Sequence, residues 1–395
     1  MNYILFDDDS RTDLLPLTFT RPVAEIRIGI FTICEKWERF LNTPCSFFTE
    51  DYLNTKYRLE ASGDNILING SILPDEQMVS AIKGLKAGNF LIKDKTVIAA
   101  RLGNNFTKSF FHEFPGENKL VKYEHDIEKI NFLWDIFSLN GKAFEADFRA
   151  ITIGRKSSSL SKTNVILTPE MVFVEEGTKI ECATLNASTG PIYIGKDAEI
   201  MEGSVIRGPF ALCEHSVLKL GTKIYGSSTI GPYSKVGGEI NNCVIFGYSN
   251  KSHDGFLGNS VLGEWCNIGA GSNNSNLKNN YSEIKLWNYK KESFIPTGLQ
   301  FCGLIMGDHS KCGINTMFNT GTVVGVSANI FGAGYPRNFF PSFSWGGSQG
   351  MSEYHLEKAF EIAEKVFERR HLVFDDIEKN ILKAVFKLTS KYRTF

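Results

Sequence analysis

A histidine with polar residues at set distances before and after it is the first feature of this chain that could do chemistry. His253 follows Glu239 by 14 residues and precedes Asn267 by 14 and Asn276 by 23. Imidazole has a pKa suited to a general base near neutral pH, for example for taking the proton that an ammonium must lose before it attacks. A carboxylate or an amide such as Glu239 or Asn276 could orient the imidazole or hold a substrate. The alternative is a histidine exposed in a turn, beside the Asp-Gly pair that follows it.

The cysteines, in contrast, predict no site. The chain has eight of them, with no CxxC pair and no tight cluster of cysteine and histidine. Neither a zinc site nor a disulfide framework is therefore indicated. Several cysteines occupy positions that suit a small buried apolar residue, which is the commonest environment of a free thiol.

Length and composition restrict the class of protein. With 395 residues, 42% hydrophobic and 22% charged, the chain is ordinary for a globular protein of two or three folded units. Its 43 basic and 44 acidic residues leave a formal charge of -1, so no basic surface for nucleic acid is predicted. Three aspartates at 7–9 interrupt the apolar start before a signal peptide could form, and no apolar run reaches membrane-spanning length. We expect a cytoplasmic protein with no nucleic-acid or membrane partner.

An apolar residue recurs at every sixth position after about residue 190. Period six fits neither a helix nor one long strand, but it fits short strands joined by tight turns that each place one apolar residue in a shared interior. Glycines beside these positions supply the backbone conformations that such turns need. The spacing therefore predicts a β-solenoid. The two runs are Ile194, Ile200, Ile206, Leu212, Leu218, Ile224, Ile230 and Val236, then Met306, Cys312, Phe318, Val324 and Ile330.

The segments on either side of the repeats have other patterns. Residues 1–155 alternate strand and helix patterns, with strands near residues 3–6, 65–68 and 97–100, which predicts an α/β domain. We place the solenoid at 163–335, after a serine-rich connection. Residues 336–395 predict helices, one capped by Ser352 and one by Asp375 or Asp376, that cover the solenoid rather than act in catalysis.

Domain order and motifs together resemble a known family. The α/β domain, the hexapeptide repeats and the run NIGAG at 267–271 look like the bifunctional N-acetylglucosamine-1-phosphate uridylyltransferase and glucosamine-1-phosphate acetyltransferase. Longer segments are similar to a variant with a short first domain, described as sugar nucleotidyltransferases: LLPLTFTRPVAEIR (14–27), VGGEINN (236–242), FGYSNKSHDGFLGNS (246–260) and NNSNLKNNYSEIKLW (273–287). The resemblance covers most of the chain. It implies a left-handed parallel β-helix and a homotrimer with active sites between neighbouring solenoids.

The resemblance also implies roles for particular residues. It implies acetyl transfer from acetyl-coenzyme A to an amino sugar, with His253 as the general base. Glu239 and Asn276 match active-site positions of the same residue type, and Asn267 matches a substrate-binding one. The two asparagines could instead satisfy backbone groups of the solenoid. The residues implied to contact acetyl-coenzyme A are Ala270 and Gly271.

Four positions depart from the residues with which the family holds the sugar phosphate. Lys223 stands where arginine is expected, Asn241 and Ser282 where lysine is expected, and Phe256 where tyrosine is expected. We keep Lys223, Asn241 and Phe256 as predicted substrate contacts, although only one of them is a cation. Three lysines that are close in sequence could compensate for the lost charge: Lys251, Lys278 and Lys285.

The first domain departs further. Related nucleotidyltransferases wrap a triphosphate with a glycine-rich loop, whereas the corresponding segment FDDDSR at 6–11 has no glycine. Arg11 and Arg21 are the implied contacts to a sugar nucleotide, with Arg27 as an alternative to Arg21. The three aspartates could bind Mg²⁺ with the nucleotide. Ser71 replaces a family metal ligand, and Asp75, the nearby substitute, is more typical of a turn or helix cap.

Three functions are therefore compared. The preferred one is an acyltransferase acting on an amino sugar or its phosphate, with a first domain that binds, and could make, a nucleoside-diphosphate sugar. The second is a Mg²⁺-dependent sugar-1-phosphate nucleotidyltransferase, using UTP or dTTP, whose solenoid serves assembly. The third is a catalytically idle scaffold that binds a sugar nucleotide. Turnover, its dependence on Mg²⁺, and binding without turnover distinguish them.

Overall fold

The computed structural model describes residues 1–104, 106–107, 116 and 119–395. Within these residues the chain forms two compact units. The first comprises Met1–Leu14, Thr20–Ile26 and Phe31–Phe132, and the second comprises Leu15–Phe19, Arg27–Ile30 and Leu133–Phe395. Residues 133–155, which the sequence pattern grouped with the first domain, thus pack with the solenoid.

The strands up to residue 122 are β1 (Asn2–Phe6), β2 (Arg27–Ile28), β3 (Phe31–Thr32), β4 (Ser46–Phe48), β5 (Asn65–Asn69), β6 (Phe90–Lys93), β7 (Thr96–Leu102) and β8 (Leu120–Lys122). Six of them form one sheet in the order β4-β1-β5-β7-β6-β8. β4, β1 and β5 are parallel, and β7 is antiparallel to its neighbours. Their inward side chains, such as Ile4 and Leu67, form the core of the sheet. The three strands predicted for this domain are confirmed.

The α-helices among the described residues are α1 (Ser10–Asp13), α2 (Ile33–Leu41), α3 (Glu76–Lys83), α4 (Asp135–Thr152), α5 (Leu356–Glu368) and α6 (Asp376–Leu388). A capping box between Thr32 and Glu35 starts α2, and Asp75 caps α3 by accepting from the Met78 N–H at 2.8 Å. Asp75 is therefore the cap residue that the sequence favoured. In the described part of the chain, no helix has the length and apolar character needed to cross a bilayer.

The second unit contains a β-solenoid of about 10 turns at residues 165–346. Its strands up to the long central pair are β9 (Val165–Leu167), β10 (Val172–Val174), β11 (Lys179–Ile180), β12 (Thr184–Asn186), β13 (Ile192–Ile194), β14 (Glu199–Ile200), β15 (Val205–Arg207), β16 (Phe210–Leu212), β17 (Val217–Leu218), β18 (Lys223–Tyr225), β19 (Ser228–Ile230), β20 (Lys235–Val236), β21 (Glu239–Gly247), β22 (Asn250–Lys251) and β23 (Phe256–Glu264). The rest are β24 (Asn267–Ile268), β25 (Asn273–Asn274), β26 (Lys285–Asn288), β27 (Ser293–Pro296), β28 (Leu304–Met306), β29 (Lys311–Cys312), β30 (Met317–Phe318), β31 (Thr322–Val324), β32 (Asn329–Ile330), β33 (Phe339–Phe340), β34 (Ser344–Gly347) and β35 (Gly350–Glu353).

Two long sheets run along the solenoid. β21 and β23 belong to the first, and β20, β22, β24 and β29 are consecutive strands of the second. The coils stack in parallel register, so that outward positions form ladders. On the second sheet, Lys235 lies opposite Asn250, Asn250 opposite Asn267, and Asn267 opposite Lys311. This ladder forms one wall of the candidate site.

The residues of both period-six runs lie in the solenoid interior, which confirms the predicted fold; the left-handed sense of its winding stays a prediction. Close packing between coils also explains some of the glycines. A Cβ on Gly231 would lie 1.8 Å from the Phe246 carbonyl oxygen of the next coil, so no larger side chain fits there.

The C-terminal helices form as predicted, but one start is wrong. Asp375 caps α6, its carboxylate accepting from the N–H groups of Ile377 and Glu378 at 3.0 Å. Ser352 does not cap α5, because it lies in β35, and the residue before α5 is His355. The antiparallel pairing of β34 with β35 extends the sheet past the expected helix start.

Candidate functional site

His253 lies in the bend between β22 and β23, which is the corner where the chain leaves the second sheet for the first. Its side chain is exposed and lines a cavity of about 610 Å³. Asn267 and Ala270 line the same cavity, and Asn267 is exposed on the ladder of the second sheet. Three of the predicted site residues therefore come together here.

The cavity is also strongly basic. Lys235 and Lys311 line it from the second sheet, and Arg369 and Arg370 line it from the end of α5. The helix end is held against the solenoid by stacked rings, since Phe367 packs on Trp265 with 4.1 Å between centroids. Sequence reasoning missed these four cations because they are far apart in the chain, and the C-terminal helices had been assigned only a covering role.

Lys251, a proposed substitute for the missing phosphate-binding cations, points into the solenoid instead. It is 2% exposed, in register with the core residue Val236. Its Nζ donates to the carbonyl oxygens of Gly237, at 3.0 Å, and of His253. Burial lowers the pKa of Lys251 to about 8, and Asp254 opposes this in part. Lys251 therefore holds the backbone of the turn that carries His253.

The residues Glu239 and Lys223 line a different cavity, of about 800 Å³, on the first sheet. They are direct neighbours in register, and Glu239 is in turn opposite Phe256. The Tyr225 hydroxyl donates to the Glu239 carboxylate. Burial, followed by this carboxylate, raises the pKa of Tyr225 to about 12, so the phenol stays protonated near neutral pH.

Arg207 lines this second cavity as well, one coil before Tyr225. Together, Arg207 and Lys223 give this cavity two cations, whereas the family pattern predicted only one. The available signal was its place in the repeat, because Arg207 follows the core residue Ile206 as Tyr225 follows Ile224.

Asn276 makes structural contacts, and Asn241 lies on the first sheet. The Asn276 side-chain amide donates to the Asn259 side-chain oxygen at 2.8 Å, and the main-chain carbonyl oxygen of Asn276 accepts from the Cys302 N–H. Asn241 lies in register with Tyr225. Gly271 adopts φ +68° beside Asn315, and a Cβ there would meet the Asn315 side chain. The cavity lined by His253 and the cavity lined by Glu239 share no lining residue, so within one copy of the chain these two residues line separate cavities.

The predicted nucleotide contacts of the first unit are buried and paired. Arg11, 7% exposed, donates to Asp7 at 2.9 Å, to the Arg21 carbonyl at 3.0 Å and to the Tyr52 hydroxyl at 3.1 Å. Asp7 also accepts from the Val23 N–H at 2.7 Å. Burial raises the pKa of Asp7 although Arg11 opposes it. The segment that resembles a phosphate loop is thus tied together by its own ion pair.

The remaining acid and amide groups of that segment are joined similarly. Asp8 forms an ion pair with Lys129 at 3.2 Å and accepts from the Asn69 amide at 2.9 Å. Burial would raise the pKa of Asp8, but Lys129 and the hydrogen bonds outweigh it and lower the pKa. Ser71 donates to Asn69 at 2.6 Å. Among the described residues, no three potential metal ligands lie together.

Arg21 and Arg27 do not share one site. Arg21 is 4% exposed in the first unit. Arg27 belongs to the solenoid unit, where its Nε donates to the Phe246 carbonyl at 3.0 Å. Arg27 therefore contacts the backbone of the solenoid unit, and of the two arginines Arg21 alone lies in the first unit.

The sequence of the chain matches a family model and curated proteins. Residues 3–156 match the family model described as sugar nucleotidyl transferase. The bifunctional sugar-1-phosphate nucleotidylyltransferase/acetyltransferase of Sulfurisphaera tokodaii is 28% identical over 215 residues, which cover 54% of this chain and 47% of that protein. The bifunctional protein GlmU of Methanocaldococcus jannaschii is 25% identical over 240 residues, covering 60% and 51%. The chain thus spans about half the length of these curated relatives.

Among solved structures, the Francisella novicida UDP-N-acetylglucosamine acyltransferase matches with a TM-score of 0.30 and 13% identity, covering 57% of this chain and 90% of that one. The sequence matches confirm the family resemblance drawn from the motifs, and they are matches to transferases.

Proposed function

We propose that this chain, which carries a sugar nucleotidyl transferase domain at residues 3–156, is a transferase of sugar-nucleotide metabolism. Its solenoid moves an acetyl group from acetyl-coenzyme A to the amine of an amino sugar or its phosphate. The amine nitrogen bonds to the thioester carbonyl carbon, the C–S bond breaks, and coenzyme A leaves as the thiol. His253 takes the proton of the amine and returns it to the leaving sulfur.

The observation that carries this proposal is the position of His253. Its side chain is exposed in a cavity that also holds Asn267, Ala270 and four cations. A general base must lie within reach of the proton that it takes from the substrate. A phosphate-bearing cosubstrate needs cations close by. The Lys251 Nζ holds the His253 carbonyl, which limits the freedom of the turn. The acetyltransferase part of the first curated relative's description supports the same reaction class.

The acceptor belongs on the first sheet. Glu239, Lys223 and Arg207 surround a cavity large enough for a sugar phosphate. Two cations suit a phosphate group, and the Glu239 carboxylate suits an ammonium or a hydroxyl. Because this cavity and that of His253 are separate within one copy, the proposed homotrimer would complete each active site with residues of a neighbouring copy.

The test is release of the coenzyme A thiol by the purified chain, with a panel of amino sugars and their phosphates as acceptors. His253→Ala should slow the reaction about a hundredfold or more, the usual contribution of a general base. The matched control is His215→Ala, which removes another exposed histidine at a solenoid corner. An unchanged rate in His253→Ala, or a folded protein that acylates no acceptor, would contradict the proposal.

The second candidate function, sugar-1-phosphate nucleotidyl transfer, is favoured by the family match of residues 3–156. It would need Mg²⁺, for which the carboxylates of Asp7 and Asp8 are the available ligands; both would first have to leave Arg11 and Lys129. Release of pyrophosphate from UTP or dTTP with a sugar-1-phosphate, abolished by EDTA, would establish this function. Binding of a nucleoside-diphosphate sugar without turnover of either kind would identify the idle scaffold.

A further inference from the structure

The cavity beside His253 concentrates positive charge from three distant parts of the chain. Lys235 comes from β20, Lys311 from β29, and Arg369 and Arg370 from the end of α5. Among the residues that the structure describes, no aspartate or glutamate lines this cavity, and none of the four cations forms an ion pair. Such convergence of like charges opposes folding unless something negative offsets it.

The charges act on one another as well as on the cavity. Burial lowers the pKa of Lys235, and Arg370, Lys219 and Arg369 lower it further, while Glu199 on the same ladder raises it. Burial and then Arg369 lower the pKa of Arg370. Burial also lowers the pKa of Lys311 to about 8, and among the described residues its Nζ donates only to the His309 carbonyl, at 2.8 Å.

A structural role accounts for only part of this arrangement. Cations at the end of α5 complement the helix dipole, which explains Arg369 and Arg370 singly. The helix end carries only about half a negative charge, which does not offset four cations, two of which, Lys235 and Lys311, come from the solenoid. Carboxylates on the solenoid would offset the charge of the two arginines, as Glu239 does beside Lys223 in the second cavity.

The rings of the cavity wall are already used for packing. Trp265 lies between Tyr248, at 4.3 Å, and Phe367, at 4.1 Å, and Tyr248 is covered on its other face by Tyr233 at 5.1 Å. These faces cannot take a nucleobase without breaking the stack. Recognition in this cavity therefore depends on charge.

We propose that the end of α5 and the second sheet of the solenoid form a binding site for a ligand with at least two phosphate groups, held by Lys235, Lys311, Arg369 and Arg370. The cavity of about 610 Å³ accommodates such a group next to His253. The shared chemistry is a diphosphate, which coenzyme A and a nucleoside diphosphate both carry. Identifying the ligand as the acyl donor rests on the proposed function, whereas the binding of phosphate groups does not.

Calorimetric titration of the full chain tests the site, with inorganic pyrophosphate, coenzyme A and UDP as probes. The double variant Arg369→Gln/Arg370→Gln should bind pyrophosphate at least about tenfold more weakly, because charged hydrogen bonds are lost. The matched control Lys358→Gln/Lys365→Gln removes the same charge from ion-paired residues of α5 and should bind like the unmodified chain. Binding should also weaken as salt is raised.

Lys235 gives a readout that a purely structural residue would not. Lys235→Gln should weaken pyrophosphate binding and raise the melting temperature of the ligand-free chain, because it removes repulsion from Arg369 and Arg370. Lys235→Arg should restore binding. A lower melting temperature in Lys235→Gln, with binding unchanged, would overturn the proposal.

The probes separate the sources of the phosphate and the two proposals. If coenzyme A binds more tightly than pyrophosphate and UDP, the ligand is the acyl donor. If UDP binds more tightly than pyrophosphate and coenzyme A, the ligand is a nucleotide. Acetyl transfer with an unchanged KM for acetyl-coenzyme A in the double arginine variant would refute the identification of the ligand with the acyl donor while leaving the proposed function intact. Arginine-dependent phosphate binding without any acetyl transfer would support the site and refute the function. No binding of any probe would overturn the site.

Discussion

Replacing the buried lysine of the solenoid should change how stability depends on pH. Lys251 occupies a core position in register with Val236, and within the described parts of the chain its ammonium donates only to carbonyl oxygens. Its pKa is about 8 in the folded chain, against 10.5 as the ordinary value. Lys251→Met keeps most of the volume and removes the charge, although it leaves two carbonyl groups without this donor.

The sign of this pH dependence follows from which state, folded or unfolded, binds more protons. Between pH 8 and 10.5 the unfolded chain holds a proton on this lysine that the folded chain has lost, so raising the pH favours the folded state. From the two pKa values, the free energy of unfolding of the unmodified chain should rise by about 2 kcal/mol relative to Lys251→Met between pH 7 and about pH 9.5. Titration of the thiols in the unfolded chain is common to both proteins and cancels in the difference.

Urea unfolding at pH 7 and 9.5 measures this difference. The matched control is Lys179→Met, an exposed lysine of the same solenoid, whose difference from the unmodified chain should stay within about 0.5 kcal/mol across the range. A difference for Lys251→Met that is flat, or that falls as the pH rises, would refute the inference that this ammonium is buried without a counter-ion.

Two further substitutions test the packing of each unit. Gly231→Ala should destabilise the solenoid by about 3 kcal/mol or more in urea unfolding, because its Cβ would overlap the Phe246 carbonyl. Gly221→Ala, where the space is open and only φ is unfavourable, should cost about 1–2 kcal/mol, and a cost for Gly231→Ala no larger than this would show that the coils shift to relieve the overlap. Arg11→Met should destabilise the first unit by about 3–5 kcal/mol because it leaves the Asp7 carboxylate buried without its cation. Arg58→Met, which changes an exposed arginine, is the control. A loss of stability under about 1 kcal/mol in Arg11→Met would show that Arg11 is not a structural residue.

The solenoid could be predicted because its signal is local and repeated. Each coil must bury one apolar residue per short strand, so residues such as Ile206 and Ile224 recur at a period that no helix produces. The strand at Asn2–Phe6 and the Asp375 cap are local in the same sense. Ser352 fitted the same capping rule but was taken into a strand, because pairing with Trp345 outweighed the local preference.

The site depends on neighbours that only folding brings together. His253 could be singled out by its motif, but the cations around it come from positions more than 100 residues apart in the chain, such as Lys235 and Arg369. Lys251 shows the same limit, since its charge predicted an exposed ligand and its place in the coil made it interior. Sequence pattern determines which residues alternate between core and surface. Which charged groups share a cavity is decided by the stacking of the coils and by the packing of α5 upon them, because electrostatic interaction depends on distance in space and not on separation along the chain.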